Sequence, residues 1–174
     1  RLGGNRRVGY RGQDMYDFAP STATDKAALH AELVQAAEAL IAGESDGIAN
    51  MANIAALIWQ FLPDLNWAGI YRTIDGELVL GPFIGKPACI RIPFGQGVCG
   101  KAADSRQSQL VPDVHAFPGH IACDAASRSE LVVPVLRGGA VIAVIDLDSP
   151  IPARFDAADA AGMEMLAARI AHAI

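Results

Sequence analysis

The chain has 174 residues, 52% of them hydrophobic and 19% charged, a composition typical of one soluble globular domain with a sizeable core. Its formal net charge of −5 argues against nucleic acid as a main partner. No stretch approaches the roughly 18 consecutive apolar residues of a membrane span, and no signal-peptide pattern opens the sequence, so we expect neither membrane association nor secretion.

The predicted elements begin with an N-terminal arm and a helix. Residues 1–20 are rich in glycine and arginine and lack any period, so we predict a flexible arm ahead of a single domain at 21–174. Potential capping residues at 21–24 precede apolar residues at helical spacing over 29–40, and Gly43 ends this first helix.

A second helix is predicted at 47–60, and strands follow it. Asp75-Gly76 and Arg137-Gly138-Gly139 are hairpin turn signals. The predicted order continues with strands 67–73, 77–83 and 88–94, a short helix 98–105, strands 108–111, 130–136 and 140–148, and a last helix capped by Asp156. Because strands follow one another rather than alternating with long helices, we predict an α+β fold with helices packed together on a central antiparallel sheet.

A glycine motif closes the third predicted strand. Gly95, Gly97 and Gly100 match G-x-G-x-x-G, but a dinucleotide-binding turn needs a long following helix and an acidic residue about 20 positions on. Here Pro93 precedes the motif, the helix is short, and Asp113 comes too early. We therefore predict a tight strand-to-helix turn in which only glycine tolerates the required φ.

The three cysteines, Cys89, Cys99 and Cys123, are an odd number without a C-x-x-C pair, which favours a reducing cytoplasm over a disulfide-stapled secreted scaffold. A plainer interpretation is that they are buried small hydrophobic residues. His115 and His120 could join Cys123 around zinc, but no clear fourth ligand follows, so we expect neither a metal nor a cofactor.

Acidic residues interrupt an apolar strand face near the end of the chain. Asp146 and Asp148 are two apart, so they share a face, and that face would otherwise continue Ile142 and Val144. This pattern favours a pocket that needs negative charge, although a strand end reaching solvent gives the same pattern. Glu130 directly follows the long predicted loop 112–127, and loops of that length are usually functional or mobile.

Four segments carry a specific resemblance: 66-NWAGIY-71, 81-GPFIGKPACIRIPFGQGVCG-100, 112-PDVHAFPGHIACDAASRSELVVPV-135 and 145-IDLDSP-150. These segments resemble the free methionine-(R)-sulfoxide reductases, which are GAF-domain enzymes, and the similarity extends from about residue 22 to the end. The run PGHIACDAASRSE is far more discriminating than a generic GAF signal. The resemblance implies a GAF-like antiparallel sheet with N- and C-terminal helices packed on one face.

The resemblance also implies roles for the cysteines. Cys123 is expected to be the nucleophile and Cys89 the resolving thiol, whereas Cys99 is either a secondary recycling thiol or a packed neighbour. The sulfenic acid formed on Cys123 would condense with Cys89 to a disulfide, which thioredoxin would reduce. This disulfide requires Cα atoms within about 7 Å, so the loop 112–127 must fold back over the Cys89 strand and act as a lid.

Substrate recognition is expected to use anions and aromatic rings. Glu130, Asp146 and Asp148 are candidates to bind the ammonium of free methionine sulfoxide, and one of them, Glu130 or Asp148 in particular, could also donate the proton. Trp67 and Tyr71 would enclose the methyl group unless they are ordinary core aromatics. The backbone amides of two loop residues would hold the sulfoxide oxygen or the carboxylate; these residues are Ile121 and Ala122.

Two other classes of function fit the same sequence. A non-catalytic GAF module that senses a small ligand or redox state would bind without turnover. A structural module would use the Ala-rich terminal helices as an interface, and the same helices could make the enzyme a homodimer.

Overall fold

The structure is a computed structural model that describes residues 6–10, 13–22, 25–120 and 124–174. The strands are β1 (Arg6–Tyr10), β2 (Gln13–Asp17), β3 (Trp67–Ile74), β4 (Glu77–Gly85), β5 (Arg91–Pro93), β6 (Gln109–Val111), β7 (Ser129–Arg137) and β8 (Ala140–Ser149). The helices are α1 (Lys26–Ile41), α2 (Gly47–Phe61), α3 (Gly97–Ser105) and α4 (Ala157–Ile170), with a 3-10 turn at Val114–Ala116.

The central sheet has six strands in the order β5-β4-β3-β8-β7-β6, and every pair is antiparallel. Two tight hairpins fix its register. Asp75 and Gly76 (φ 52° and 82°) join β3 to β4, and Gly138 and Gly139 (φ 58° and 80°) join β7 to β8. Paired positive φ values belong to hairpin turns whose twist matches that of the strands. The predicted antiparallel α+β fold is confirmed.

Helices α1, α2 and α4 cover one face of this sheet, as predicted. Side chains at alternate positions of the central strands face the three helices, including Ala68 and Ile70 of β3 and Ile145 of β8. The cap of the first helix lies one to four residues later than expected, because Asp25 rather than a residue of 21–24 caps it by accepting a hydrogen bond from Ala27 N.

Helix α3 packs alone on the opposite face of the sheet, against side chains that alternate with those of the larger core. Trp67 and Tyr71 of β3 belong to this second cluster, together with Val98 and Cys99 of α3 and Val144 of β8. Strand β3 therefore directs Trp67 and Tyr71 to the α3 side, whereas Ala68 and Ile70 face the three helices. The candidate site described below lies on this face.

The glycine motif forms a strand-to-helix turn, as predicted. Gly95 and Gly97 have φ values of 83° and 62°. Gly95 N donates to Gly100 O at 2.8 Å, and a Cβ on Gly100 would lie 2.4 Å from Pro93 O. Two of the glycines therefore supply positive φ, and the third permits close backbone contact.

Two details of the predicted strands are wrong. Cys89 lies outside β5, in the 86–90 connection, where Pro87 has no backbone N–H to extend the ladder. Ile142 does not share the face of Asp146 and Asp148, but packs against the core under the three helices. A register shift opposite Val135 and Leu136 leaves Ile142 without a partner in β7 and reverses the facing of the residues before it.

The N-terminal segment also differs from the sequence pattern. Where no period was found, β1 and β2 pair as a separate two-stranded antiparallel sheet. Phe18 is buried against the helical core, and its carbonyl accepts a hydrogen bond from Gln60. Among the described residues, no helix is both long enough and apolar enough to cross a membrane.

Candidate active site

A pocket opens between the start of α3, strands β3, β7 and β8, and the loops beside them. It collects most of the residues that the sequence singled out, although they are far apart along the chain. The described lining comprises Trp67, Tyr71, Lys86, Pro87, Ala88, Ile92, Gln96, Gly97, Val98, Cys99, His120, Asp124, Ser127, Glu130, Asp146 and Asp148.

Stacked aromatic rings form one wall. The Trp67 ring stacks on Tyr71 at 5.9 Å and on Phe83 at 5.2 Å between centroids. Trp67 Nε1 donates to Lys86 O, and the Tyr71 hydroxyl donates to Cys89 O, each at 3.0 Å. The two aromatic residues thus line the pocket where the sequence placed them, and they also hold the connection that carries Cys89.

Three carboxylates come from two neighbouring strands. Glu130 of β7 pairs in register with Asp148 of β8, and Asp146 lies two positions earlier on the same face. Glu130 and Asp146 are each only 6% exposed, so the alternative of a strand end reaching solvent is wrong. The sheet register, rather than any sequence motif, creates this acidic triad of Glu130, Asp146 and Asp148.

Burial makes the acidic triad retain protons. It raises the pKa of Glu130 well above its usual range, and the neighbouring charges of Asp146 and Asp148 raise it further. Burial likewise raises the pKa of Asp146 to about 7, and burial followed by the Asp146 charge raises that of Asp148. The triad therefore holds at least one acidic proton at neutral pH inside a water-poor pocket.

Cys99 lies in α3, beside the acidic triad. Its Sγ is 4.0 Å from Glu130 Oε1, and the residue is 5% exposed. Burial, followed by the charges of Asp146 and Glu130, raises the pKa of the Cys99 thiol well above its usual range. Because the thiolate is the reactive form, Cys99 in this position is a weak nucleophile.

The end of the loop 112–127 contacts the 86–90 connection, which carries Cys89. Asp124 Oδ1 accepts from Lys86 Nζ at 3.1 Å, and Asp124 Oδ2 accepts from Asn66 Nδ2 at 3.3 Å. Asn66 Nδ2 also donates to Ser127 Oγ at 3.0 Å. Three predicted site residues lie outside the described residues: Ile121, Ala122 and Cys123.

The residues that anchor this loop were not evident from the sequence. Lys86, Asn66 and Asp124 were not singled out, although Lys86 and Asp124 lie close in sequence to Cys89 and Cys123. The available signal was a positive charge near Cys89 and a negative charge next to Cys123, which could attract each other. Without the fold, however, 38 residues of separation gave no reason to pair them.

The metal-ligand pattern considered in the sequence includes Cys123, which lies outside the described residues, but the described part of the chain brings together another group of potential ligands. Burial and nearby His115 lower the pKa of His120, whose Nε2 lies 3.8 Å from Glu130 Oε2. Among the described side chains, those whose ligand atoms lie within 4.8 Å of one another are Cys99, Glu130 and Asp146.

Comparison with known proteins shows the family of the chain. The sequence matches the GAF domain family over residues 28–174. It is 48% identical to a free methionine-R-sulfoxide reductase of Escherichia coli over 146 residues, which are 84% of this chain and 88% of that one. A Saccharomyces cerevisiae protein of the same name is 44% identical, with 78% and 80% covered.

A solved structure gives the same result. The free methionine-R-sulfoxide reductase of Neisseria meningitidis, in complex with its substrate, superposes with a TM-score of 0.85 at 43% identity, covering 89% of this chain and 93% of that one. Identity and coverage at this level establish the relationship over nearly the whole domain. The chain belongs to the GAF-domain family of free methionine-R-sulfoxide reductases.

Proposed function

We propose that this protein reduces free methionine-(R)-sulfoxide to methionine with its own thiols. The observation that carries the proposal is the buried, proton-holding acidic triad facing an aromatic wall, in a chain 48% identical to a reductase of that name. Three buried carboxylates that have no lysine or arginine partner among the described residues favour a cationic ligand. An amino-acid substrate brings an ammonium to them and an apolar methyl group to Trp67 and Tyr71.

The proposed chemistry starts at Cys123. Its thiolate attacks the sulfoxide sulfur, the oxygen passes to the cysteine as a sulfenic acid, and methionine leaves. The Cys89 thiol then condenses with the sulfenic acid, forming a disulfide and releasing water. A dithiol such as thioredoxin reduces this disulfide and is itself oxidised, which balances the two electrons.

The acidic triad supplies the proton that the sulfoxide oxygen needs as the sulfur–oxygen bond breaks. Burial raises the pKa of Glu130 and of Asp148 well above the usual carboxyl range, so each holds its proton more tightly and can act as a general acid. Glu130 and Asp148 are the proposed donors, and Asp146 binds the ammonium with them. Cys99 serves as a packed neighbour of the triad, because its raised thiol pKa does not suit recycling.

The assay compares free and peptide-bound methionine sulfoxide, each as resolved R and S epimers, with dithiothreitol and then with thioredoxin. We expect turnover of the free R epimer, with at least tenfold lower rates for the other three substrates. Binding of a small ligand without any methionine formation would support the sensor alternative instead.

Single-turnover experiments separate the two cysteine roles. Without reductant, Cys123→Ser should form no methionine, whereas Cys89→Ser should form about one per chain and then stop. Repeated turnover by Cys123→Ser with reductant would contradict the assignment.

We further expect a cytoplasmic homodimer paired through its terminal helices. Size-exclusion chromatography with light scattering tests the oligomeric state.

A further inference from the structure

One buried oxygen of the pocket has no hydrogen-bond partner among the described residues. Asp146 is 6% exposed, and its Oδ1 accepts no hydrogen bond from any residue that the structure describes. An unpaired buried carboxylate oxygen is costly, so its persistence indicates a ligand that pairs with it. The same carboxylate faces Glu130 and the sulfur of Cys99.

Little positive charge in the described lining of the pocket balances the Asp146 carboxylate. Among the described lining residues, the basic side chains are Lys86 and His120. Lys86 Nζ is bound to Asp124, and its side chain is 68% exposed. His120 Nε2 lies 3.8 Å from Glu130 Oε2, at the edge of the acidic triad. The electrostatics of the pocket therefore favour a small cation as well as an ammonium group.

The donor atoms favour a particular class of cation. Mg²⁺ and Ca²⁺ prefer oxygen ligands alone, whereas Zn²⁺ accepts a mixture of thiolate, carboxylate and imidazole. We propose that Cys99, Glu130 and Asp146 form a binding site for Zn²⁺, with His120 as its fourth ligand. This donor set is distinct from the histidine–Cys123 set considered in the sequence.

The candidate ligand atoms lie somewhat farther apart than the ligand atoms of a bound zinc ion. The three candidate ligand atoms lie within 4.8 Å of one another, and His120 Nε2 lies 3.8 Å from Glu130 Oε2. Ligand atoms of a tetrahedral zinc site are separated by about 3.5 Å, as bond lengths of about 2.0–2.3 Å require. Shifts of roughly 1 Å would bring Cys99, Glu130 and Asp146 to these separations, and a larger rotation of the His120 side chain, which approaches the group at Glu130, would complete the set.

Zinc at this site would occupy the proposed position of the substrate ammonium. This consequence, though not the binding itself, rests on the proposed function. A cell with raised free zinc would then lose reductase activity reversibly, without oxidation of any cysteine. The two parts of the proposal are tested separately.

Metal binding is tested in the double variant Cys89→Ser/Cys123→Ser, which retains Cys99 as its only thiol. Co²⁺, a spectroscopic substitute for Zn²⁺, should produce a thiolate-to-metal charge-transfer absorption, and calorimetry should give one Zn²⁺ per chain. Adding Cys99→Ser should abolish the absorption, and adding Asp146→Asn should weaken binding at least tenfold. Asp104→Asn, an exposed carboxylate on the same helix as Cys99, is the matched control and should change nothing.

Circular dichroism of each variant checks that it is folded. Absence of the charge-transfer band in the folded double variant would overturn the site. Equal zinc affinity after Asp146→Asn, or after Cys99→Ser, would do the same. These outcomes do not depend on whether the enzyme turns over methionine sulfoxide.

Competition tests whether metal and substrate share the position. Free methionine should reduce the cobalt absorption of the double variant more than alanine does at equal concentration. Alanine chelates the metal in solution through the same amino and carboxylate groups but lacks the thioether tail. Equal effects of the two amino acids would overturn the shared position. Cobalt binding with no methionine-specific effect would leave zinc binding intact and count against the proposed ammonium site.

Discussion

Gly162 illustrates how one missing side chain sets the distance between two helices. It lies in α4 where this helix crosses α1, and a Cβ at this position would come within 2.2 Å of His30 Cγ. His30 is 1% exposed, and its Nε2 pairs with Asp159 Oδ1 at 3.1 Å, so it has no room to move away. Close packing, rather than backbone freedom, therefore explains this glycine.

We predict that Gly162→Ala lowers the free energy of unfolding by about 1–3 kcal/mol through overpacking. Helix propensity alone predicts the opposite sign, since alanine is favoured over glycine by about 1 kcal/mol in a helix interior. Urea unfolding monitored by circular dichroism measures the change. The reverse substitution at the exposed neighbour, Ala161→Gly, is the control and should cost about 1 kcal/mol. A stabilised Gly162→Ala protein would show that α1 yields to the added methyl group.

The face of the sheet on which a side chain lies was predictable where the spacing along one strand determines it. The aromatic pair on β3 could be assigned to one face because β3 pairs with β8 without a register shift from Trp67 to Tyr71. Ile142 could not, since its position depends on a register shift opposite β7 that no local signal announces. The roles of Cys123, Ile121 and Ala122 remain predictions from the resemblance.

At the scale of elements, the 86–90 connection and the end of the loop 112–127 are linked by the Lys86–Asp124 ion pair. The pair is exposed on the lysine side, so it contributes little to global stability. Its effect is positional, because each partner lies within three residues of a cysteine of the proposed disulfide.

We expect Asp124→Asn to slow formation of the Cys89–Cys123 disulfide severalfold after one turnover, because the charge attraction to Lys86 is lost. The free energy of unfolding should change by less than about 1 kcal/mol. Rapid acid quenching and thiol labelling follow the disulfide. Glu77→Gln, which breaks the similarly exposed pair with Arg91, is the control and should leave that rate unchanged. Equal rates in the wild-type and Asp124→Asn proteins would refute the positional role.

Helices and hairpins were predictable at this scale because their signals are local. Asp156 caps α4 and forms a capping box with Asp159, and Gly138-Gly139 closes its hairpin as expected. The connection before β5 and the anchoring of the loop were not predictable, because both depend on contacts between segments distant in sequence.

For the whole molecule, two groups of buried acids act on stability in opposite directions with pH. Bonds to His30, Lys26, Asp156 N and Arg154 lower the pKa of Asp159 despite its burial, so its stabilising effect is lost as pH falls below the unfolded value near 4. The acidic triad has raised pKa values instead. Its members bind protons more tightly in the folded state, so stability falls as pH rises from about 4 through their folded pKa values.

The free energy of unfolding should therefore be greatest near pH 4–5 and decline toward neutral pH. Asp146→Asn removes the triad member whose folded pKa is about 7, so in metal-free buffer it should flatten this decline. At pH 8 the variant should exceed the wild type in stability by about 2 kcal/mol, and at pH 4.5 the two should be nearly equal. Urea unfolding across this range tests it, with exposed Asp104→Asn as a control that should follow the wild-type curve. Identical pH profiles for Asp146→Asn and the wild type would mean that Asp146 ionises freely in the folded protein. Greater stability combined with weaker substrate binding would instead identify the acidic triad as a site kept at the expense of the fold.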